Sequence, residues 1–223
     1  MEKYFSKKDL DLISKAVKEA ESRTSGEIAT AFIKQSDSYA IYELFWALIV
    51  GIVFFNILLL FYNPIEKLIQ FATWDYQPFY TVAFYGFSSF MIIGLLYLLF
   101  NLPFFDKLIV PQKIFAKKVS DKALLHFIQS GVAETRDRTG ILIFISYLEQ
   151  RVELIADKGI NEKISQDKWN QIVENLVADI KSKDMTGGLL RAIKACGFIL
   201  DEHFPVKFDD INELDNDITF LED

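Results

Sequence analysis

Residues 138–169 read RTGILIFISYLEQRVELIADKGINEKISQDKW, and this stretch decides the fold. Thr139-Gly140 opens it with a turn. Residues 141–147 (ILIFISY) then form an unbroken apolar run of strand length, as expected of a central strand covered on both faces. Residues 151–156 (RVELIA) alternate, so they predict a second strand returning as a hairpin through Leu148-Glu149-Gln150. Lys158-Gly159 turns the chain. Ser165 then stands as the cap of a helix over 165–181, with Trp169, Ile172, Leu176 and Ile180 at helical spacing.

Working outward, Thr186-Gly187-Gly188 opens a further helix to about Glu202, and Pro205 stops it. Upstream, 114–135 reads as one helix with Phe115, Val119, Leu124, Phe127 and Ile128 on its apolar face. Near the N-terminus, Ser6 and Asp9 form a cap signature ahead of Leu10, Ile13, Val17 and Ala20. Thr24-Ser25-Gly26 breaks that helix, and 27–34 (EIATAFIK) reads as a strand. One helix and one strand cannot bury both faces. Residues 1–40 and 106–205 are therefore expected to be two parts of one α/β domain with a mixed sheet and helices on both faces.

Between those parts the chemistry changes. Residues 41–105 carry four charges (Glu43, Glu66, Lys67, Asp75) among 65 positions, and hold 20 of the 33 aromatic residues. Residues 44–61 and 79–105 are uncharged and long enough to cross a hydrocarbon core about 30 Å thick. They predict a two-helix transmembrane hairpin that interrupts the domain. Tyr42, Trp46, Tyr62, Trp74, Tyr76 and Tyr80 cluster near the expected ends, as interfacial aromatics do. Asn56 is the one amide inside the first run, and either joins the two helices or bonds its own backbone. Residues 64–74 suit a short interfacial helix with Ile65, Leu68, Ile69 and Phe71 towards lipid. Lys107, Lys113, Lys117 and Lys118 follow the second run, against Lys67 alone in the connecting loop. The positive-inside rule then places both termini in the cytoplasm, on a multi-pass protein of the cell inner membrane.

Charge excludes some functions. The net charge of −7 is concentrated in 201–223, which is net −8. Residues 206–223 read as an acidic tail, solvated or partner-binding, without the glycine and spacing of an EF-hand loop. No basic stripe is present to hold a nucleic-acid backbone. Expected partners are the lipid bilayer and a membrane or cytoplasmic protein. The N-terminal residues lack the apolar core of a cleaved signal peptide.

The stretch quoted above, with the helix–TSGEI start and ACGFILDEHFP near the end, resembles the TPM domain family over about 8–40 and 110–205. That family includes plant thylakoid lumen and photosystem II repair proteins and an animal receptor-associated protein. The likeness is to its bacterial branch, in which a membrane hairpin interrupts the domain. The resemblance implies a compact α/β sandwich, and for some members a proposed phosphatase or divalent-metal-binding activity. Many members end the second strand in an acidic residue and continue with a Tyr-Gly-Leu-Glu turn. Here Ile155 replaces the acid, Lys158-Gly159-Ile160 forms the turn, and Asn161 stands where Glu is usual. Asp157 and Glu162 lie one or two positions away.

A metal site of hard oxygen ligands needs several carboxylates at once. Glu27, Asp137, Asp157 and Glu162 flank strands that should be neighbours. They either converge at one sheet edge on a divalent cation such as calcium or are solvated turn residues. Cys196, among Ile193, Ala195, Phe198 and Ile199, reads as a packed small hydrophobe. His126 reads as a helix-surface or satisfied core residue, and His203 as a helix-end residue favoured by the dipole. One Cys and two distant His lack the spacing of a zinc site. Gly187-Gly188 reads as a helix-start loop rather than a phosphate cradle, since no lysine-serine pair follows. Two functions remain. One is a non-enzymatic, membrane-tethered binding or assembly module; the other, resting on the resemblance, is a metal-dependent phosphatase.

Overall fold

The computed structural model describes residues 4–222. Contacts divide the chain into two compact units, 1–37 with 113–223, and 38–112.

The first unit is built on a four-stranded mixed sheet in the order β3-β2-β1-β4. Strand β1 (Glu27–Ile33) lies centrally, parallel to both β2 (Gly140–Ser146) and β4 (Thr219–Leu221). Strand β3 (Arg151–Ala156) runs antiparallel to β2, joined through a turn in which Gln150 adopts φ 52°. Every residue of β2 is buried, which explains its unbroken apolar run. In β3 the buried positions alternate, and Val152, Leu154 and Ala156 face the main core.

Helices cover both faces. On one lie α1 (Lys7–Glu21), α8 (Gln166–Lys181) and α9 (Met185–His203). Their apolar faces enclose Ile28, Phe32, Ile141, Ile143 and Ile145 of the sheet. Trp169 is fully buried in this core, on a helix that packs against β3 and α9. Helix α1 starts in a capping box, with Ser6 Oγ accepting from Asp9 N–H at 3.2 Å and Asp9 Oδ2 accepting from Ser6 N–H at 2.8 Å. Helix α6 (Gln112–Gln129) lies on the opposite face, where Val119, Ala123 and Phe127 meet Ala31, Ile33, Leu142 and Phe144.

Three elements differ from expectation. The helix foreseen to Thr135 stops at Gln129. Gly131 there takes φ 79°, a left-handed stop, and a single 3-10 turn (Val132–Glu134) follows. The Lys158-Gly159 turn is a short helix, α7 (Lys158–Asn161), capped by the Asp157 carboxylate on Lys158 N–H. Finally, the acidic segment beyond 206 does not trail into solvent. It crosses the start of β1 and ends as β4, where Phe220 packs on Phe5 and Phe32.

The second unit contains α2 (Ala40–Leu60), α3 (Tyr62–Ala72), α4 (Pro78–Phe100) and α5 (Pro103–Ile109). Helices α2 and α4 are long and apolar enough to cross a membrane, and pack on each other as a hairpin. Gly51 is the close approach: a Cβ there would collide with Ile93. In α2 the inward positions Ala47 and Gly51 are small, and large apolar residues of both helices turn outward. Ile52, Val82, Phe87 and Phe90 are 61%, 69%, 73% and 79% exposed. At the loop end, Tyr76 donates to Glu66 Oε1 of α3 and shares a hydrogen bond with Thr81 of α4, so α3 is tied to the hairpin, while Tyr85 of α4 donates to Leu58 O of α2. Leu68 and Phe71 of α3 are exposed as foreseen, whereas Ile65 and Ile69 are half-buried.

Candidate functional site: the carboxylate corner of the sheet

Register creates the site. Glu27 pairs with Gly140, and Ile141 pairs with Ala156, so the starts of β1 and β2 and the end of β3 lie side by side. The turns flanking these strands therefore meet at one end of the sheet. Gly159 closes the corner: its N–H donates to Arg138 O at 3.1 Å, and a Cβ would stand 2.8 Å from that oxygen. Thr139 Oγ1 donates to Ser25 O, and Glu27 N–H donates to Thr139 O, fixing the two loops together.

The C-terminal segment completes the corner. Ser25 N–H and Thr24 Oγ1 both donate to Phe204 O, and Lys207 N–H donates to Ser25 Oγ. Two clefts result. One, about 490 Å³, is lined by Asp137, Glu162, Lys163, His203, Phe204 and Lys207 among others. The other, about 300 Å³, includes Glu21, Glu27, Asp210 and Asn216. Val206 and Lys207 line both.

The four carboxylates singled out from sequence have separate fates. Asp157 is 4% exposed and held by Arg138, with Nη2 3.0 Å from Oδ1 and Nε 2.9 Å from Oδ2. Asp137 pairs with Lys207 Nζ at 2.6 Å, and that bond holds its carboxyl below the usual range. Glu162 is exposed, 3.8 Å from Lys158 Nζ one turn earlier. Glu27 is 4% exposed; its Oε1 accepts from Glu213 N–H, while its buried Oε2 has no hydrogen-bond partner. Burial raises the Glu27 pKa. The corner thus gathers all four near one end of the sheet but keeps them apart: Asp137 and Glu162 line the larger cleft, Glu27 lines the smaller, and Asp157 is buried outside both. Among the described residues, no group of three His, Cys, Asp or Glu side chains is placed to hold a metal ion.

Two functional-looking groups, Glu21 and the network of Ser36, Ser146 and Glu149, were not singled out from sequence. Glu21 Oε1 accepts from Ile28 N–H at 2.9 Å, and its Oε2 accepts from Asn216 Nδ2 at 2.5 Å. Burial, then the nearby Glu27 charge, pushes the Glu21 pKa up to about 7 despite these bonds. Its signal was faint: Glu21 follows Val17 by four positions, on the buried face of α1. At the opposite end of the sheet, Ser146 Oγ donates to Glu149 Oε2, and Glu149 Oε1 accepts from Ser36 N–H. That network pins the β2–β3 turn to the exit of β1. Cys196 is fully buried and its thiol is pushed up to about 12, so it is an inert core group. Burial lowers the pKa of His126, whose ring centroid stands 6.5 Å from that of Phe144. Lys168 Nζ lies 3.4 Å from His203 Nε2. Gly187 and Gly188 sit inside the first turn of α9. The Gly187 N–H is already taken by Asp184, so it is not offered to a phosphate.

These features can be set beside known proteins. Residues 108–197 match the family model of the TPM domain. That match contains α6, β2, β3, α8 and most of α9, including Arg138, Asp157 and Gly159 of the corner. The TPM resemblance seen in the sequence therefore holds across this segment. The NMR structure of the BA42 protein from the psychrophilic bacteria Bizionia argentinensis sp. nov. is similar in fold. It aligns with a TM-score of 0.58 at 20% identity, covering 99% of this chain and 98% of that one. No curated protein matches the chain.

Proposed function

We propose that this protein is a membrane-tethered TPM-type binding or assembly module rather than a hydrolase. The carrying observation is that two of the four corner carboxylates are paired with the chain's own cations and a third accepts a backbone N–H. Arg138 holds Asp157, Lys207 holds Asp137, and the backbone of the C-terminal segment engages Glu27. A hydrolytic metal would need those oxygens free and convergent. The tether is supported by the outward apolar surfaces of α2 and α4. The Lys107, Lys113, Lys117 and Lys118 cluster supports a cytoplasmic α/β unit at the inner membrane, with a membrane or cytoplasmic protein as its partner.

The rival reading, a divalent-metal-dependent phosphatase, draws on the orphaned Glu27 Oε2 beside Glu21. Calorimetric titration of the full-length protein in detergent with calcium or magnesium, together with a generic phosphomonoester assay, separates the two. The binding-module reading expects neither saturable metal heat nor turnover. Metal-dependent hydrolysis that disappears in Asp157→Ala would replace it with the phosphatase. Topology is tested independently: a cysteine at Gln70 should react with an impermeant thiol reagent from outside intact cells, and one at Asp210 should not.

A further inference from the structure

Asn56 is the amide whose place the sequence left open. It does not join α2 to α4. Its Nδ2 donates to Ile52 O of its own helix at 2.8 Å, and the side chain is exposed. At about 100° per residue it stands roughly 180° from Ala47 and 140° from Gly51, the buried positions of α2. Its neighbours on the outer face are Phe45, Ile52 and Leu59, exposed by 56%, 61% and 46%. The bond to Ile52 O also aims the amide towards the helix N-terminus, away from the Leu60 end, from which Asn56 stands four residues or about 6 Å. Its amide is therefore turned into the span rather than towards that end.

An amide offers two N–H donors and one carbonyl acceptor. One donor is used on Ile52, which leaves a donor and the acceptor Oδ1 facing hydrocarbon. Unsatisfied polar groups in that medium are costly. A second copy related by a two-fold axis supplies the matching acceptor and donor at the same depth. We infer that Phe45, Ile52, Asn56 and Leu59 form a homodimer interface within the bilayer, centred on a reciprocal Asn56–Asn56 amide pair. This rests on the membrane-tethered reading.

The test uses full-length protein, fluorescently labelled and reconstituted in lipid vesicles, with energy transfer followed as lipid is diluted in. Wild type should show dimer-like transfer that falls on dilution. Asn56→Leu should raise the dissociation constant about tenfold, the size expected for lost interhelical amide bonds. Asn56→Gln, which keeps the amide, should recover most of the association. Equal association of wild type and Asn56→Leu would overturn the interface, as would absence of transfer at every dilution. Recovery of the protein in a carbonate wash of the vesicles would overturn the membrane reading itself, and the interface with it.

Discussion

Helices α2 and α9 have similar lengths, 21 and 19 residues, and opposite insides. Helix α9 buries Leu189, Ile193, Cys196 and Leu200 and leaves Lys194 and Asp201 in solvent. Helix α2 buries Glu43, Ala47 and Gly51 and turns Phe45, Ile52 and Val53 outward. A helix in water hides its large apolar residues, whereas one in lipid gains nothing by hiding them and packs through small ones. The difference sets α9, which folds a core, apart from α2, whose outward residues suit an apolar solvent. It does so more sharply than mean hydropathy, which a buried core helix can match.

The comparison can be broken most forcefully at Trp169. It is fully buried under α8, so Trp169→Ala should destabilise the α/β unit by about 3–5 kcal/mol. Thermal unfolding followed by circular dichroism in detergent reads this, and a loss below about 1 kcal/mol would remove Trp169 from the core. Next comes the close contact of α1 with α9. A Cβ on Gly197 would stand 2.6 Å from Ala20 Cβ, so Gly197→Val should cost about 1–3 kcal/mol in the same assay.

A smaller effect is expected from Glu21. Its folded pKa is raised from 4.5 to about 7, so the folded state holds this proton more tightly than the unfolded one. That contribution is complete below pH 4.5 and is lost as pH rises through about 7. Its size is on the order of 1–2 kcal/mol after allowing for partial exposure. Melting between about pH 5 and pH 8 should show it, and Glu21→Gln should flatten this part of the profile. A slope unchanged in Glu21→Gln would assign it to another group. The smallest effect belongs to the outer surface of the hairpin. Phe87, 73% exposed on α4, should tolerate Phe87→Ala with a change in α/β melting of less than about 0.5 kcal/mol. A loss comparable to that of Trp169→Ala would show that this surface is a buried core after all.

Much of this architecture was legible residue by residue. Strand β2 was visible because seven consecutive buried positions demand an unbroken apolar run. Helix α8 was visible because Trp169, Ile172, Leu176 and Ile180 recur at the helical period. The long apolar runs of α2 and α4 were visible because few charges interrupt them. Strand β4 was not visible. Three residues, Thr219-Phe220-Leu221, carry no readable alternation, and the acids before them look like a solvated run. The corner was half legible: Glu27, Asp137, Asp157 and Glu162 do gather at one end of the sheet. Whether they converge depends on where Arg138 and Lys207 point, and Lys207 lies 70 positions from its partner Asp137.

The sequence by itself determined which segments are apolar, their period, where glycine and capping residues interrupt them, and so which elements exist. Those are local properties, set within a few residues by backbone sterics and side-chain hydrophobicity. Only the tertiary structure decided that β1 lies between β2 and β4. It also decided that the acidic segment closes the sheet, and that Asp137 and Asp157 meet the chain's own cations, Lys207 and Arg138, rather than a shared metal-ligating arrangement. Those outcomes depend on pairings between distant positions, where register and ion pairing select a partner from many of the same chemical type.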